Sequence, residues 1–382
     1  MKKAFALMMA LAMVLCLAAC GGQPSTTPSA SGSAPEESAK TAEELYGASF
    51  AGMEDLIAAA QAEGTLTVYG SCEEAYLSAA CQHFEELFGI KVNFQRLSTS
   101  EVYTKIKEEN GKPSADVWFG GTTDPYNEAV NDNLLLAYKA ENAKHIVSPN
   151  YQNADGKWYG IYCGVLGFMA NSEELARLSL ESPKTWDDLL KPEYQGLIWA
   201  SNPSTAGTAK LIINTMVQMK GHDEAMKYFI ELDKNIAQYT KSGSGPSKNV
   251  GTGECTIGIG FLHDGITQIL NGYDNIELII PTDGTSYEIG ATAIFSGCTN
   301  ENAAKLWIEY ALSPECVELA AENESFQFLV LDNAKQPEQA EQFGLTLEHC
   351  IDYDFDDAAN NIAQYVEDYF AAVGQDDRFK TE

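Results

Sequence analysis

The sequence predicts an α/β protein in which a parallel sheet is wrapped by helices and a second lobe follows the first. Three observations predict it. Between Leu66 and Phe119 short apolar runs alternate with helical stripes in the order β-α-β-α-β, the pattern of a sheet covered by crossover helices. At 382 residues the chain is too long for one ordinary core, which favours two lobes. Tyr159 to Asn171 (YGIYCGVLGFMAN) is a glycine-punctuated apolar stretch suited to a strand that crosses between lobes. The composition, 45% hydrophobic and 21% charged, is that of a globular protein. With 24 Lys plus Arg against 55 Asp plus Glu, the formal net charge is -31. Such a surface repels phosphate backbones and anionic headgroups, so nucleic-acid binding and membrane docking by basic patches are excluded on charge.

Along the chain, Lys2 and Lys3 precede an apolar run from Ala4 to Ala19. That run reads as a signal peptide (1–19), too short to span a bilayer comfortably. It ends in Leu17-Ala18-Ala19-Cys20-Gly21, which resembles a bacterial lipobox and implies lipid on Cys20. Gly21 to Lys40 is rich in Ser, Thr, Pro and Gly and has nothing to bury, so 20–44 is expected to be a flexible tether. The expected product is an exported protein held by lipid to the outer face of the cell membrane or on its periplasmic side.

In the body, Leu66 to Tyr69 is a short strand closed by Gly70-Ser71. Leu77, Ala80, Cys81, Phe84, Leu87 and Phe88 form one stripe of a helix from Glu73 to Phe88, stopped by Gly89. Ile90, Val92 and Phe94 alternate as a second strand; Ser100 to Asn110 is helical; Ala115 to Phe119 is an apolar strand running into Gly120-Gly121. Ligands of such sheets bind where loops leave the C-terminal ends of strands, here residues 69–74 and 120–126. Past the crossing strand, a helix is expected to start at Pro183 to Leu189, a strand at Gly196 to Ala200, and a helix at Ala209 to Lys220.

Ser201, Ser204, Thr205 and Thr208 crowd the turn before that last helix. Backbone N–H groups, hydroxyl donors and the positive end of the helix dipole meet there, as an anion requires. Capping needs only one hydroxyl, and the excess points to an anion site that includes Gly207. Ser242 and Ser244 lie in a second small polar loop. Cys255 to Phe261 is a strand that delivers His263 and Asp264 just past its end; such a pair can bond a polyol, join a metal or act in a catalytic relay. Tyr287 and Glu288 begin an apolar strand that returns to the first lobe.

The lipobox, the tether, TVYGS (67–71), ADVWFGG (115–121), PKTWDDLLKPEYQGLI (183–198), SNPSTAGTA (201–209) and SGSGPSKNVGTGE (242–254) occur in one order. Together they resemble the extracellular solute-binding proteins of ABC importers, in the ferric-ion, phosphonate and sugar-phosphate branch, over about residues 60 to 325. The resemblance implies two doubly wound lobes of the type II periplasmic-binding fold, joined by crossing strands, with the ligand in the cleft and closure read by a permease. The expected division is 45–160 plus 285–382 for the first lobe and 161–284 for the second.

Ferric-binding members of that branch hold iron with neighbouring tyrosines. Here the corresponding stretch, Gly260 to Asp264, has none, and near Gly120-Gly121 there is no carboxylate. Sugar-phosphate binders are the better match. The resemblance assigns Ser71, Ser201, Thr205, Gly207 and Thr208 to the phosphate and His263, Asp264 and Glu288 to sugar hydroxyls. Cys72, Gly121, Ser204, Ser242, Ser244 and Tyr287 complete the expected lining, with no metal and no cofactor. An aminoalkylphosphonate, countered by Asp264 or Glu288, and a ferric ion remain alternative cargoes. A secreted enzyme acting on phosphorylated sugars is a more remote one, because no GxSxG, HExxH or P-loop occurs. The partners expected are a small phosphorylated solute and the permease, and the protein is expected to be a monomer.

Seven cysteines remain in the body, an odd number without metal-knuckle spacing, and are read as small apolar residues with no disulfide assigned. Asp352 to Asp357 lacks the glycine and the glutamate of a calcium loop. There Asp356 is expected to cap a structural helix bearing Ile362, Tyr365, Val366, Tyr369 and Phe370.

Overall fold

The computed structural model describes residues 40–380. The signal peptide, Cys20 and the tether up to residue 39 lie outside the described residues. Strands β1 (Thr65–Gly70), β2 (Lys91–Arg96), β3 (Val117–Thr122), β4 (Leu135–Leu136), β5 (Tyr159–Asn171), β6 (Ile198–Ser201), β7 (Ile236–Thr240), β8 (Ile257–Phe261), β9 (Ile276–Ile279), β10 (Tyr287–Phe295) and β11 (Phe328–Leu329) join in one sheet. Its main path runs β2-β1-β3-β10-β5-β8-β6-β7. The outer strands are parallel as expected: β1 to β2 and β3, and β6 to β7 and β8. The central strands β10 and β5 are antiparallel to their neighbours.

β5 makes two lobes out of one sheet. Its first half, Tyr159 to Val165, pairs with β10, and its second half, Leu166 to Ala170, pairs with β8. All thirteen of its residues are buried, which explains why its sequence is apolar on both faces rather than alternating. β10 carries the chain back beside β3. One core gathers Leu66, Val68, Phe84, Phe88, Phe119 and Trp307, and a second gathers Phe168, Trp186, Ile198, Leu211, Phe229 and Ile259.

The structure differs from the sequence reading at four places. Thr41 caps a helix at Ala42–Tyr46 through a capping box, and Ala42 is buried, so ordered chain begins before residue 45. The segment expected to start a helix at Pro183 forms only a 3-10 turn, Asp187–Leu190, because Pro192 follows at once. Strand β2 lies at the edge, and Phe94 on it is exposed. Finally, residues 353–380 pack against both lobes: Asn131 Nδ2 donates to the Ala359 carbonyl, and Phe355 packs on the first-lobe cluster that holds Trp118 and Trp158. The C-terminal helix Phe355–Val373, capped by Asp354 rather than Asp356, puts Ala358 and Tyr369 into the second-lobe core along with Tyr353.

The seven described cysteines are all free. Cys72, Cys81, Cys163, Cys255 and Cys316 are buried among apolar neighbours.

Candidate functional site

Six strands run toward the cleft and each is followed by a helix. The residue just before each helix lines a single cavity. Glu73 precedes Glu74–Phe88, Ser98 precedes Thr99–Glu108 and Thr122 precedes Thr123–Asn131 on the first lobe. Ala206 precedes Gly207–Lys220, Ser244 precedes Gly245–Val250 and Phe261 precedes Leu262–Leu270 on the second. The parallel outer strands of both lobes end here, so the unsatisfied N–H groups and positive dipole ends of six helices face one space.

The first-lobe wall depends on Gly121. Its φ of 82° is left-handed, and a Cβ there would lie 2.4 Å from Thr99 Oγ1 and 2.6 Å from Ser71 Cβ. The bare backbone lets Gly121 N–H donate to Tyr162 Oη at 2.9 Å. Ser71 is held by the Trp118 indole, whose Nε1 donates to its Oγ at 3.0 Å. Arg96 reaches in from the end of β2: Nε donates to the Cys72 carbonyl (3.3 Å), Nη1 to Ser98 Oγ (3.5 Å) and Nη2 to Ser242 Oγ (3.3 Å). Glu73 meets Lys248 of the other lobe at 2.9 Å. Burial alone would raise the Glu73 carboxyl, but the Lys248 ammonium more than offsets this and its pKa is lowered.

The floor is His263, Asp264 and Glu288, all buried. His263 Nε2 is 3.6 Å from Asp264 Oδ1 and 3.9 Å from Glu288 Oε1, while its Nδ1 has no partner. The imidazole lies parallel to Phe261 with ring centroids 5.5 Å apart. Burial lowers the His263 pKa to about 3, so the ring is neutral. Burial, with the nearby Glu73 charge, raises Asp264 to about 8; burial, with Asp264 and Glu73, raises Glu288 well above the usual carboxylate range. A neutral imidazole and two protonated carboxyls can each donate and accept hydrogen bonds, and none repels an anion.

Of the residues expected at the site, Ser71, Cys72, Gly121, Gly207, Thr208, Ser244, His263, Asp264 and Glu288 come together around this cavity. Five do not line it. Ser201 Oγ is buried without a partner beneath the second lobe's helices, against a separate small cavity with Phe229 and Tyr239. Ser204 is exposed, and its N–H donates to Asn202. Thr205 Oγ1 donates to the Lys241 carbonyl at 2.8 Å, tying two loops together. Ser242 stands behind the wall, accepting from Arg96 and bonded to Ser244 at 3.1 Å. Tyr287 packs edge-on against Tyr151 and Phe355, because adjacent strand residues face opposite ways and its neighbour Glu288 takes the cleft side.

Sequence reasoning placed Glu73 and Thr122 inside the expected binding loops without singling them out, and missed Arg96, Ser98, Thr99, Tyr162 and Gln327. Ser98 and Thr99 could have been found, because they too stand where a strand gives way to a helix. Arg96 ends a strand without any local motif. Tyr162 lies within an all-apolar run and Gln327 far from every motif, so neither carried a signal. No set of three His, Cys, Asp or Glu side chains among the described residues is arranged to hold a metal ion.

Residues 113–343 match the family described as bacterial extracellular solute-binding protein. An uncharacterized protein of Haemophilus influenzae is 39% identical over 302 residues, 78% of this chain and 86% of that one. The periplasmic binding protein AfuA of Actinobacillus pleuropneumoniae, solved with exogenous fructose-6-phosphate bound, is 35% identical, covers 82% of this chain and 100% of its own, and superposes with a TM-score of 0.79. The Fe(3+)-binding periplasmic protein of Serratia marcescens is 25% identical over 71% of this chain and 80% of its own.

Proposed function

The chain belongs to the bacterial extracellular solute-binding proteins, the capture components of ABC importers, and from that footing we propose that it binds a small phosphorylated solute, a sugar phosphate, between its lobes and delivers it to a membrane permease. One observation carries the reading. Six helix N-termini converge on one cavity whose floor is neutral and rich in groups for hydroxyls. The N–H groups of Gly207 and Thr208 and the Thr208 hydroxyl suit the phosphate; His263, Asp264 and Glu288 suit the polyol. The fructose-6-phosphate bound by AfuA supports the same class. A ferric ion is the poorer cargo. Among the described residues Tyr162 is the one tyrosine in the lining, its Oη already accepts from Gly121, and no three His, Cys, Asp or Glu side chains are placed to share a metal ion. We further propose that Cys20 carries lipid, tested by loss of fatty-acid labelling in Cys20→Ser.

A thermal-shift screen of the body against hexose phosphates, aminoalkylphosphonates, inorganic phosphate and ferric citrate tests the ligand class. A ligand at a hundred times its dissociation constant stabilises the fold by about 2.7 kcal/mol. Hexose phosphates are expected to give the largest shift; a shift with ferric citrate alone would replace this reading with iron. Thr208→Val is expected to weaken every phosphorylated ligand by about 1–3 kcal/mol. Asp264→Ala is expected to weaken hexose phosphates and spare inorganic phosphate. Calorimetric titration of both variants separates the two ends of the site.

A further inference from the structure

We propose that Arg96 is the charge-reading residue of the cleft: its guanidinium pairs with the phosphate of the ligand and, through Ser242, ties that pairing to the second lobe. The inference rests on the phosphorylated-solute reading and goes beyond it, since it concerns how the cleft tells a doubly charged ester from a singly charged or neutral one.

The chain has three arginines. Two are held by carboxylates. Arg177 Nη2 lies 2.7 Å from Glu174, and Arg378 Nη2 lies 2.7 Å from Asp233 and 2.8 Å from Asp376. Arg96 makes no ion pair among the described residues. Its three hydrogen bonds run to neutral oxygens at 3.3, 3.5 and 3.3 Å, at or beyond the long end of the ordinary range. A guanidinium has five N–H donors, so two remain unused. In a chain with 55 acidic residues, an arginine left without a carboxylate and placed in the wall of a cavity is available to a ligand.

The surroundings strengthen that availability. Among the described residues Arg96 is the only lysine or arginine in the lining. Of the three acids that share it, Asp264 and Glu288 hold their protons and Glu73 is engaged by Lys248. Arg96 is therefore the cationic side chain of the lining, and no carboxylate in the described residues holds it in an ion pair. Its planar fork matches two oxygens of a tetrahedral phosphate. It also spans both lobes, because Cys72 and Ser98 belong to the first and Ser242 to the second. Ser242 in turn touches Ser244, which begins a second-lobe helix at the cavity. An anion that draws the guanidinium forward thus acts on contacts in both lobes.

The test titrates wild type, Arg96→Gln and Arg96→Lys with a hexose 6-phosphate, the matching hexose 6-sulfate and the free hexose, with unfolding temperatures of the ligand-free proteins as the folding check. The sulfate ester keeps the tetrahedral shape but carries one charge. R96Q is expected to lose roughly 10- to 100-fold in affinity for the phosphate ester and less for the sulfate, so that the preference between them collapses. R96K, which keeps the charge but not the fork, is expected to recover part of the preference. Wild-type affinity of R96Q for the phosphate ester would overturn the role of Arg96 and leave the solute class standing. Equal losses for all three ligands would also overturn it, since they would mark a purely structural arginine. Wild-type protein that binds no phosphorylated compound would overturn the solute class and this inference with it. If R96Q does not fold, the uncharged Arg96→Met decides by the same ratio: an unchanged preference overturns the inference.

Discussion

Burial makes Asp264 and Glu288 hold protons that an exposed carboxylate would release, and makes His263 release one that an exposed imidazole would share. The effect is measurable at Asp264. Its folded pKa of about 8 lies above the usual 3.8, so between those values the folded state binds more protons than the unfolded one. The group's contribution is most favourable below its unfolded pKa and declines as pH rises toward 8, by up to ~1.4 kcal/mol per pH unit. Asparagine resembles the protonated acid and carries no such dependence. The unfolding temperature of ligand-free Asp264→Asn, relative to wild type, is therefore expected to rise steadily between pH 5 and pH 8. A difference that stays constant in scanning calorimetry would mean that Asp264 is ionised in the folded protein.

Among the elements, the helix Gly207–Lys220 joins sequence to site most directly. The hydroxyls before it were legible as an anion turn, yet none of them caps it. Thr205 is drawn off to the Lys241 carbonyl and Ser201 faces away from the cleft, leaving Gly207 and Thr208 at the cavity. The glycine is needed for closeness. A Cβ on Gly207 would stand 2.0 Å from Thr122 Oγ1 of the opposite lobe. Gly207→Ala is expected to leave the unfolding temperature of the ligand-free protein unchanged or slightly higher, since alanine favours helix by up to ~1 kcal/mol. Ligand affinity should nevertheless fall about tenfold or more, because a clash of that kind costs ~1–3 kcal/mol in a packed interface. Thr122→Ala in the same chain should restore affinity in part, and titration of the single and double variants checks both statements.

Across the whole molecule, charges on the two lobes meet. Lys210 pairs with Glu128, and both are more than nine-tenths buried. Asp124 lies beside them with its pKa raised to about 7 by burial. Lys241 meets Glu101 at 2.8 Å nearer the surface. Removing one partner of a buried pair strands the other and costs about 3–5 kcal/mol, here borne by the closed form, since an open cleft would hydrate the charge. Lys210→Met is thus expected to lower ligand affinity strongly, and the double variant with Glu128→Gln to recover most of it. Lys227→Met, which breaks an exposed pair with Glu224, is the control and should change nothing measurable. Affinities together with the ligand-induced change in radius of gyration distinguish a closure defect from a local one.

The sequence by itself determined the α/β class, the crossing strand Tyr159–Asn171 and the positions of His263, Asp264 and Glu288. Each is written in local order: strand and helix periods, a run apolar on both faces, and polar side chains just past a strand's end. Only the tertiary structure decided that the C-terminal helix packs against both lobes, that Tyr287 turns away while Glu288 turns in, and that Arg96 stands without an ion pair in the cleft wall. Those outcomes depend on which surfaces meet across the sheet. An apolar face such as that of Phe355–Val373 carries no mark of which surfaces it will cover, and a charge such as that of Arg96 shows no want of a partner until its neighbours are in place.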